Sequence, residues 1–394
     1  MIPVRIVAAA VLAGGLALPG VAAPGVAAAA PVAPASGPGI GGFQLKAQTS
    51  LVAVQLYEQT IPIPAEPQAE LNIGYTRSTV ATGPDGRGTA SWLWPGDSVG
   101  DGFGTIIGDP KQTYPVQVNS RTPNGPEEQK QELTPGSGMS TSAGPKSVKA
   151  KVNLLGLAAP PPGGGLPGLP GLPGGGSTPS DDPALPAPPG VAALVTAEGI
   201  TSSTQVTANA GTVVSTAHTA AKNIALLGGL ITIDALDTRA SATSDAARGT
   251  ADGLVTITGV RVAGQRLAID SKGVHVGGQG AEIPGLPKQL TDQLKALGIS
   301  VEPLPTTRSV AGAAGTLATS GLVISVDTKP LRSKLDTSVL DPIIGALPQE
   351  LQDQLRLVLG LGPKLVFVVG AAQANAAASA PVALPPLPPG TDPG

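Results

Sequence analysis

The chain has 394 residues, no cysteine, 13% charged residues, a net charge of -3 and only 2% aromatic residues. The missing cysteine excludes disulfides, thiolate metal sites, thiol nucleophiles and a lipid-bearing cysteine. The absence of any Lys/Arg run argues against the clustered basic surface that nucleic acid requires, so no nucleic-acid partner is expected.

The elements follow in chain order. Arg5 and the apolar run Ile6–Leu18, followed by small-residue cleavage sites near Ala23 and Ala28, predict a signal peptide over 1–30. Pro19 ends the run before the ~20 apolar residues that a membrane span needs. An exported protein, extracellular or associated with the cell envelope, is therefore expected, with no integral membrane segment once the signal is removed.

Residues 41–157 read as an N-terminal β block. Val52, Val54 and Leu56 alternate in one strand. LNIGYTRSTV from Leu71 and the later TASWLW predict a hairpin around Pro84-Asp85-Gly86, with Gly86 taking the positive φ. Alternation places Ala90, Trp92 and Trp94 on one face of the returning strand, filling the core. In SVKAKVNLL, Val148, Ala150, Val152 and Leu154 oppose Lys149 and Lys151.

A Pro/Gly-rich linker follows over 158–190, containing GGGLPGLPGLPGGG. Gly165, Gly168, Gly171 and Gly174 have collagen spacing, but three triplets cannot sustain a triple helix, so a polyproline-II-like spacer is expected. Residues 191–380 read as a C-terminal β-rich block. Ile231, Ile233 and Ala235 alternate. Val255 and Ile257 then give way to Val260 and Val262, a change of phase that predicts a β-bulge at Gly259. Leu267 and Ile269 resume the alternation.

Leu290, Leu294 and Leu297 predict one short helix stopped by Gly298. Leu351, Leu355, Val358 and Leu359 predict a second, stopped by Gly360. Both leucine stripes are expected to cover a sheet. A last strand starts at Leu365, and the run to Leu384 is too diluted by Gln373, Asn375 and Ser379 for an anchor. A Pro-rich tail spans 381–394. One internal echo joins Thr76–Ala90 to Thr238–Ala251, leaving open whether the two blocks share a sheet. The fold class expected is mainly β: an antiparallel sandwich or curled sheet with two short amphipathic helices packed on it.

The chemistry is sparse. Gly96-Asp97-Ser98-Val99-Gly100 fits the nucleophile motif G-x-S-x-G, which works only where a strand turns into a helix. The following GDGFGTIIGDP is too glycine-rich to predict one, and neither histidine, His218 nor His275, stands in a D-x-x-H arrangement. Asp97, Asp101 and Asp109 suggest calcium, yet Val99 and Gly108 occupy loop positions that need oxygen ligands. GFGTIIG neither follows a strand nor opens a helix, as a dinucleotide fingerprint must. LPTTR, at Leu304–Arg308, has Arg where a sorting signal needs Gly. No catalytic, cofactor-binding or metal residue is assigned.

ALLGGLITIDALDTRA and ITGVRVAGQRLAIDSKGVHV, with RGTASWLWPG upstream, resemble the choice-of-anchor P group of exported proteins from high-GC Gram-positive bacteria. The resemblance implies a secreted or surface-attached protein without established enzymology, and it lends no functional residues. The expected function is non-catalytic, structural or adhesive, with a cell-envelope component or a hydrophobic ligand as partner. Two alternatives are a lipid carrier using a sheet-and-helix groove and, behind it, a serine esterase at Ser98.

Overall fold

The structure is a computed structural model that describes residues 39–58, 66–158, 185–186, 194–262, 264–270, 273–276, 298–303, 306–327 and 363–382. It is mainly β, with two sheets that are antiparallel apart from one short parallel pair. The first half of the chain holds β1 (Gly42–Tyr57), β2 (Ala69–Ala81), β3 (Asp85–Trp94), β4 (Val118–Thr122), β5 (Glu128–Thr134), β6 (Ser137–Ala143), β7 (Ser147–Ala158) and β8 (Leu185–Pro186). Between β3 and β4 lie α1 (Asp97–Gly100) and α2 (Phe103–Ile106). The second half continues with β9 (Val195–Ala208), β10 (Val213–Leu226), β11 (Ile231–Ser244), β12 (Gly249–Thr258), β13 (Arg261–Val262), β14 (Gln265–Asp270) and β15 (Gly273–Val276). It ends with β16 (Ile299–Pro303), β17 (Thr307–Ala311), β18 (Ala314–Thr319), β19 (Leu322–Asp327) and β20 (Lys364–Ser379).

The first sheet runs β16-β19-β20-β1-β2-β3-β4, with the β17–β18 hairpin added beside β20. The second runs β15-β14-β13-β11-β10-β9-β7-β6-β5, with β12 beside β11 and β8 beside β7. The two sequence blocks therefore share both sheets. β1 pairs with β20 along its length, from Gly42 with Ser379 to Tyr57 with Lys364. β7 pairs with β9, so the Pro/Gly-rich stretch connects two neighbouring strands of one sheet.

The expected signal peptide, both leucine-stripe helices and nearly all of the linker and tail lie outside the described residues. The predicted hairpin at 71–94 forms as β2–β3, but Gly83 takes the positive φ (106°), and Gly86 is a strand residue facing Val148 of the other sheet. The echoed segments are equivalent hairpins, β2–β3 in one sheet and β11–β12 in the other. Each turns its Thr into the core (Thr76, Thr238) and its Arg to the outer face of its sheet (Arg77, Arg239).

A transverse crease crosses both sheets. In β1, Leu45, Ala47 and Thr49 are buried at odd positions, but Val52 and Val54 at even ones. In β20 the buried set changes from Phe367 and Val369 to Ala372, Ala374 and Ala376. The switch falls at Gly370 (φ 70°) in β20 and at Gly74 (φ 64°) in β2, the two positions flanking Leu51 in register. In the second sheet it falls at Gly199 (φ 58°), Asn223 (φ 48°) and Gly259 (φ 67°). The phase change expected at Gly259 is present, but Ala235↔Thr258 and Thr232↔Arg261 hold one register, so both strands kink together and no residue bulges out.

The crease divides the interior. On one side Leu, Ile, Val and Phe367 fill the space between the sheets; on the other, Ala and Val dominate. Between the two lies a belt of buried hydroxyls. Ser78 meets Thr204 at 2.8 Å, Ser202 meets Thr219 at 2.9 Å, and Thr49 donates to the Ala371 carbonyl at 2.6 Å. The hydroxyls of Thr76 and Thr238 are buried there without a hydrogen-bond partner among the described residues.

Glycine is required at Gly370. Its backbone φ is 70°, and a Cβ there would lie 2.7 Å from Thr238 Oγ1 and would press on Leu236. Gly370→Ala is expected to lower unfolding free energy by roughly 2–4 kcal/mol, combining left-handed strain with overpacking. Urea denaturation with an unchanged m-value checks this.

Candidate functional site

Between Trp94 and Val118 the chain forms a strap over the outer face of the first sheet. The crease makes this site. It turns Trp94 outward, away from Ala90, and neither Trp94 nor Tyr75 belongs to the inter-sheet cores. The expected single face for Ala90, Trp92 and Trp94 is thus corrected: Ala90 and the half-buried Trp92 pack on the core, while Trp94 is fully buried under the strap.

The Trp94 and Tyr75 rings stack at 5.1 Å with 3° between their planes. Tyr114 meets Trp94 edge-on at 6.1 Å, and Phe103 meets Tyr114 at 5.7 Å. The whole chain has only two Trp, three Tyr and three Phe, and half of them gather here. Asp97 is the hub of the polar contacts. Its Oδ1 accepts from Tyr75 Oη (3.2 Å) and Trp94 Nε1 (3.1 Å), and its Oδ2 meets Arg77 Nη1 at 3.0 Å. Arg77 Nη2 donates to both carboxylate oxygens of Asp101, at 2.9 and 3.0 Å. The guanidinium also lies 6.0 Å from the Tyr75 ring centre and 5.9 Å from that of Trp94.

The strap contains two single-turn helices, although its glycine content predicts none. The glycines are what let it sit close: a Cβ on Gly100 would overlap the Trp94 ring. Burial works against the charge of Arg77, but the Tyr75 ring, Asp97 and Asp101 outweigh it and hold its pKa above the ordinary value. Burial, assisted by Arg77, lowers the pKa of Lys46. Burial raises that of Glu70; Asn72 opposes the rise by hydrogen bonding and Asp97 adds to it by its charge. Burial also raises Tyr75 well above the usual phenol range and pushes Tyr114 up to about 12.

Ser98 follows Asp97 directly and is exposed on α1. His218 lies on the outer face of the other sheet, its Nε2 3.3 Å from Asp237 Oδ2. Asp237 also accepts two hydrogen bonds from Arg239, at 2.9 and 3.1 Å. His275 lies in β15, paired through the backbone with Ala268 of β14. The structure therefore does not bring Ser98 and His218 together. The three aspartates also have separate tasks: Asp97 and Asp101 hold Arg77, while Asp109 accepts from the Lys111 amide at 3.1 Å. Among the described residues no group of three His, Cys, Asp or Glu side chains could hold a metal ion.

Sequence reasoning missed Tyr75, Arg77 and Tyr114 as members of this site. No spacing rule joins them to Asp97; the available signal was the clustering of scarce aromatics around a Gly/Asp-rich stretch. No family model, curated protein or solved structure matches the chain.

Asp97→Asn weakens the tie to Arg77 and its charge-assisted hydrogen bonds. It should cost about 1–3 kcal/mol and red-shift Trp94 emission in a Trp92→Phe background, whereas Ser98→Ala should stay within ~0.5 kcal/mol of the parent. High pH provides a second check. The folded state holds Tyr114 protonated up to about 12, whereas in the unfolded chain it ionises near ~10. Its contribution is therefore complete below ~10 and is lost as pH rises through about 12. Denaturation midpoints should fall across that window, and less steeply in Tyr114→Phe.

Proposed function

We propose that this chain is a non-catalytic secreted or cell-envelope protein with a structural or adhesive role, of the kind found in the choice-of-anchor P group. One observation carries the reading. The strap presents Val99, Ile106 and Ile107 to solvent, at 41%, 62% and 45% exposure, on a base fixed by Asp97, Arg77 and the aromatic stack. Exposed apolar side chains on a braced loop make a contact surface. The carboxylate beside Ser98 is committed to bracing that loop, and His218, whose ring nitrogen meets the acid Asp237, belongs to the other sheet. Both facts favour adhesion over hydrolysis.

A second reading, carriage of a hydrophobic ligand, draws on the Leu/Ile/Phe side of the interior. Tyr57, Val195, Leu226, Asp327 and Lys364 mark that end of the sandwich. The segments with the leucine stripes join the described chain there, through Gly298, Asp327 and Pro363. Lipid extracted with protein purified from its own host would favour the carrier.

The adhesive reading is tested by co-sedimentation with insoluble envelope material of the producing cell. Saturable binding is expected, reduced at least tenfold by Ile106→Asp with Ile107→Asp and unchanged by Ser98→Ala. Ester hydrolysis abolished by Ser98→Ala would overturn it.

A further inference from the structure

The register of the second sheet brings together residues that are far apart in sequence. Lys130 of β5 faces Ser140 of β6, which faces Lys151 of β7, which faces Ser203 of β9. Ser203 faces His218 of β10, and His218 faces Arg239 of β11. The five from Ser140 to Arg239 alternate with buried neighbours such as Met139, Thr141, Ala150, Val152, Ser202, Thr204 and Ala217, so they point away from the core, and Lys130 shares the face of its partner Ser140. At ~4.8 Å per strand the row is about 24 Å long; Lys130 and Lys151 stand towards one end of it, whereas His218 and Arg239 at the other end share Asp237.

The surroundings of this row are polar, and by register Glu128, Glu132, Asp237 and Asp252 share its face, towards the edges. On one side stand Ser142, Lys149, Gln205, Thr216 and Ser241, also in register. None of the chain's aromatic residues lies in a strand of this sheet. At the lysine end the row borders a hollow of about 230 Å³ between Lys130, Glu132, Lys151 and Asn153, floored by Gly138. Among the described residues Lys130, Lys149 and Lys151 form no ion pair, in contrast to Arg77, Arg87, Arg239 and Arg261.

We propose that this outer face binds a linear anionic polysaccharide lying across the strands, its carboxylates on Lys130, Lys149 and Lys151 and its hydroxyls on the flanking Ser, Thr, Gln and Asn side chains. The chemistry selects this class. Spaced cations over a flat face match charges repeated along an extended polymer, and hydroxyl and amide side chains match sugar hydroxyls. Neutral glycans and single-stranded nucleic acids depend on aromatic platforms, which this face lacks. The proposal deepens the adhesive reading by naming the chemistry of the partner and placing a second contact opposite the strap.

The test uses the full mature chain and polygalacturonate as probe, with dextran as the neutral control and polyphosphate as the charge-only control. Binding to polygalacturonate should exceed that to dextran at least tenfold and weaken steadily as salt rises. Lys130→Ala with Lys151→Ala should lower it at least tenfold without moving the thermal midpoint, since both side chains are exposed. Equal binding to dextran, or binding unaffected by the double substitution, would overturn the proposal. Equal or tighter binding to polyphosphate would reduce the face to a charge patch and overturn it too. Retained envelope binding in a double variant that has lost polygalacturonate would remove polysaccharide capture as the adhesive route and leave the strap reading standing. Envelope binding lost through Ile106→Asp and Ile107→Asp, with polygalacturonate still bound, would keep the two contacts distinct.

Discussion

The crease is the constraint on which the rest of this structure depends. Side chains alternate along a strand with period two, so a strand keeps one face buried unless its backbone changes hand. Here Gly370, Gly74, Gly199, Asn223 and Gly259 take positive φ at matching levels of two sheets, and the buried set changes phase in strand after strand. Because neighbours switch together, the pairing survives. In β9–β10 the register slips by a residue near Lys222 and then recovers, and in β11 it does not slip at all. The result is a sandwich with two different cores, one of large aliphatics and one of Ala and Val, divided by hydroxyls that mostly bond to each other or to backbone carbonyls.

That division also gives the sandwich two unlike ends. Tight turns close the Ala/Val end, between Ala81 and Asp85, Ala143 and Ser147, Ser244 and Gly249, and Ala311 and Ala314. Small side chains bring the sheets so close there that a Cβ on Gly315 would overlap the Thr250 backbone. Chain closure is global: the first strand is completed by the last, β1 against β20, and only then do β16–β19 gain a sheet to join. Such pairing of distant segments makes folding slow compared with a meander of local hairpins.

Much of the architecture was legible. The alternation of Val148, Ala150, Val152 and Leu154, the hairpin at 71–94 and the phase change around Gly259 are local patterns, set by which side chains a pleated ribbon can bury. The site was less legible for the same reason. Trp94 obeys the period of its strand until the kink opposite Gly74 reverses it, and only then do Tyr75, Trp94 and Tyr114 meet. The residues around Ser98 have packing roles: Asp97 serves Tyr75, Trp94 and Arg77, and Gly100 lies where the Trp94 ring leaves no room for a Cβ.

By itself the sequence determined a cysteine-free, aliphatic, largely alternating chain that buries its side chains mainly as β-sheet, since period-two patterning dominates outside the two leucine stripes. Tertiary structure alone decided which strands became neighbours, because register between Lys130 and Arg239, or between Gly42 and Ser379, is fixed by complementary burial over the whole sheet and by no local signal. The row from Lys130 to Arg239, the aromatic nest and the sharing of both sheets by the two blocks all arise at that level.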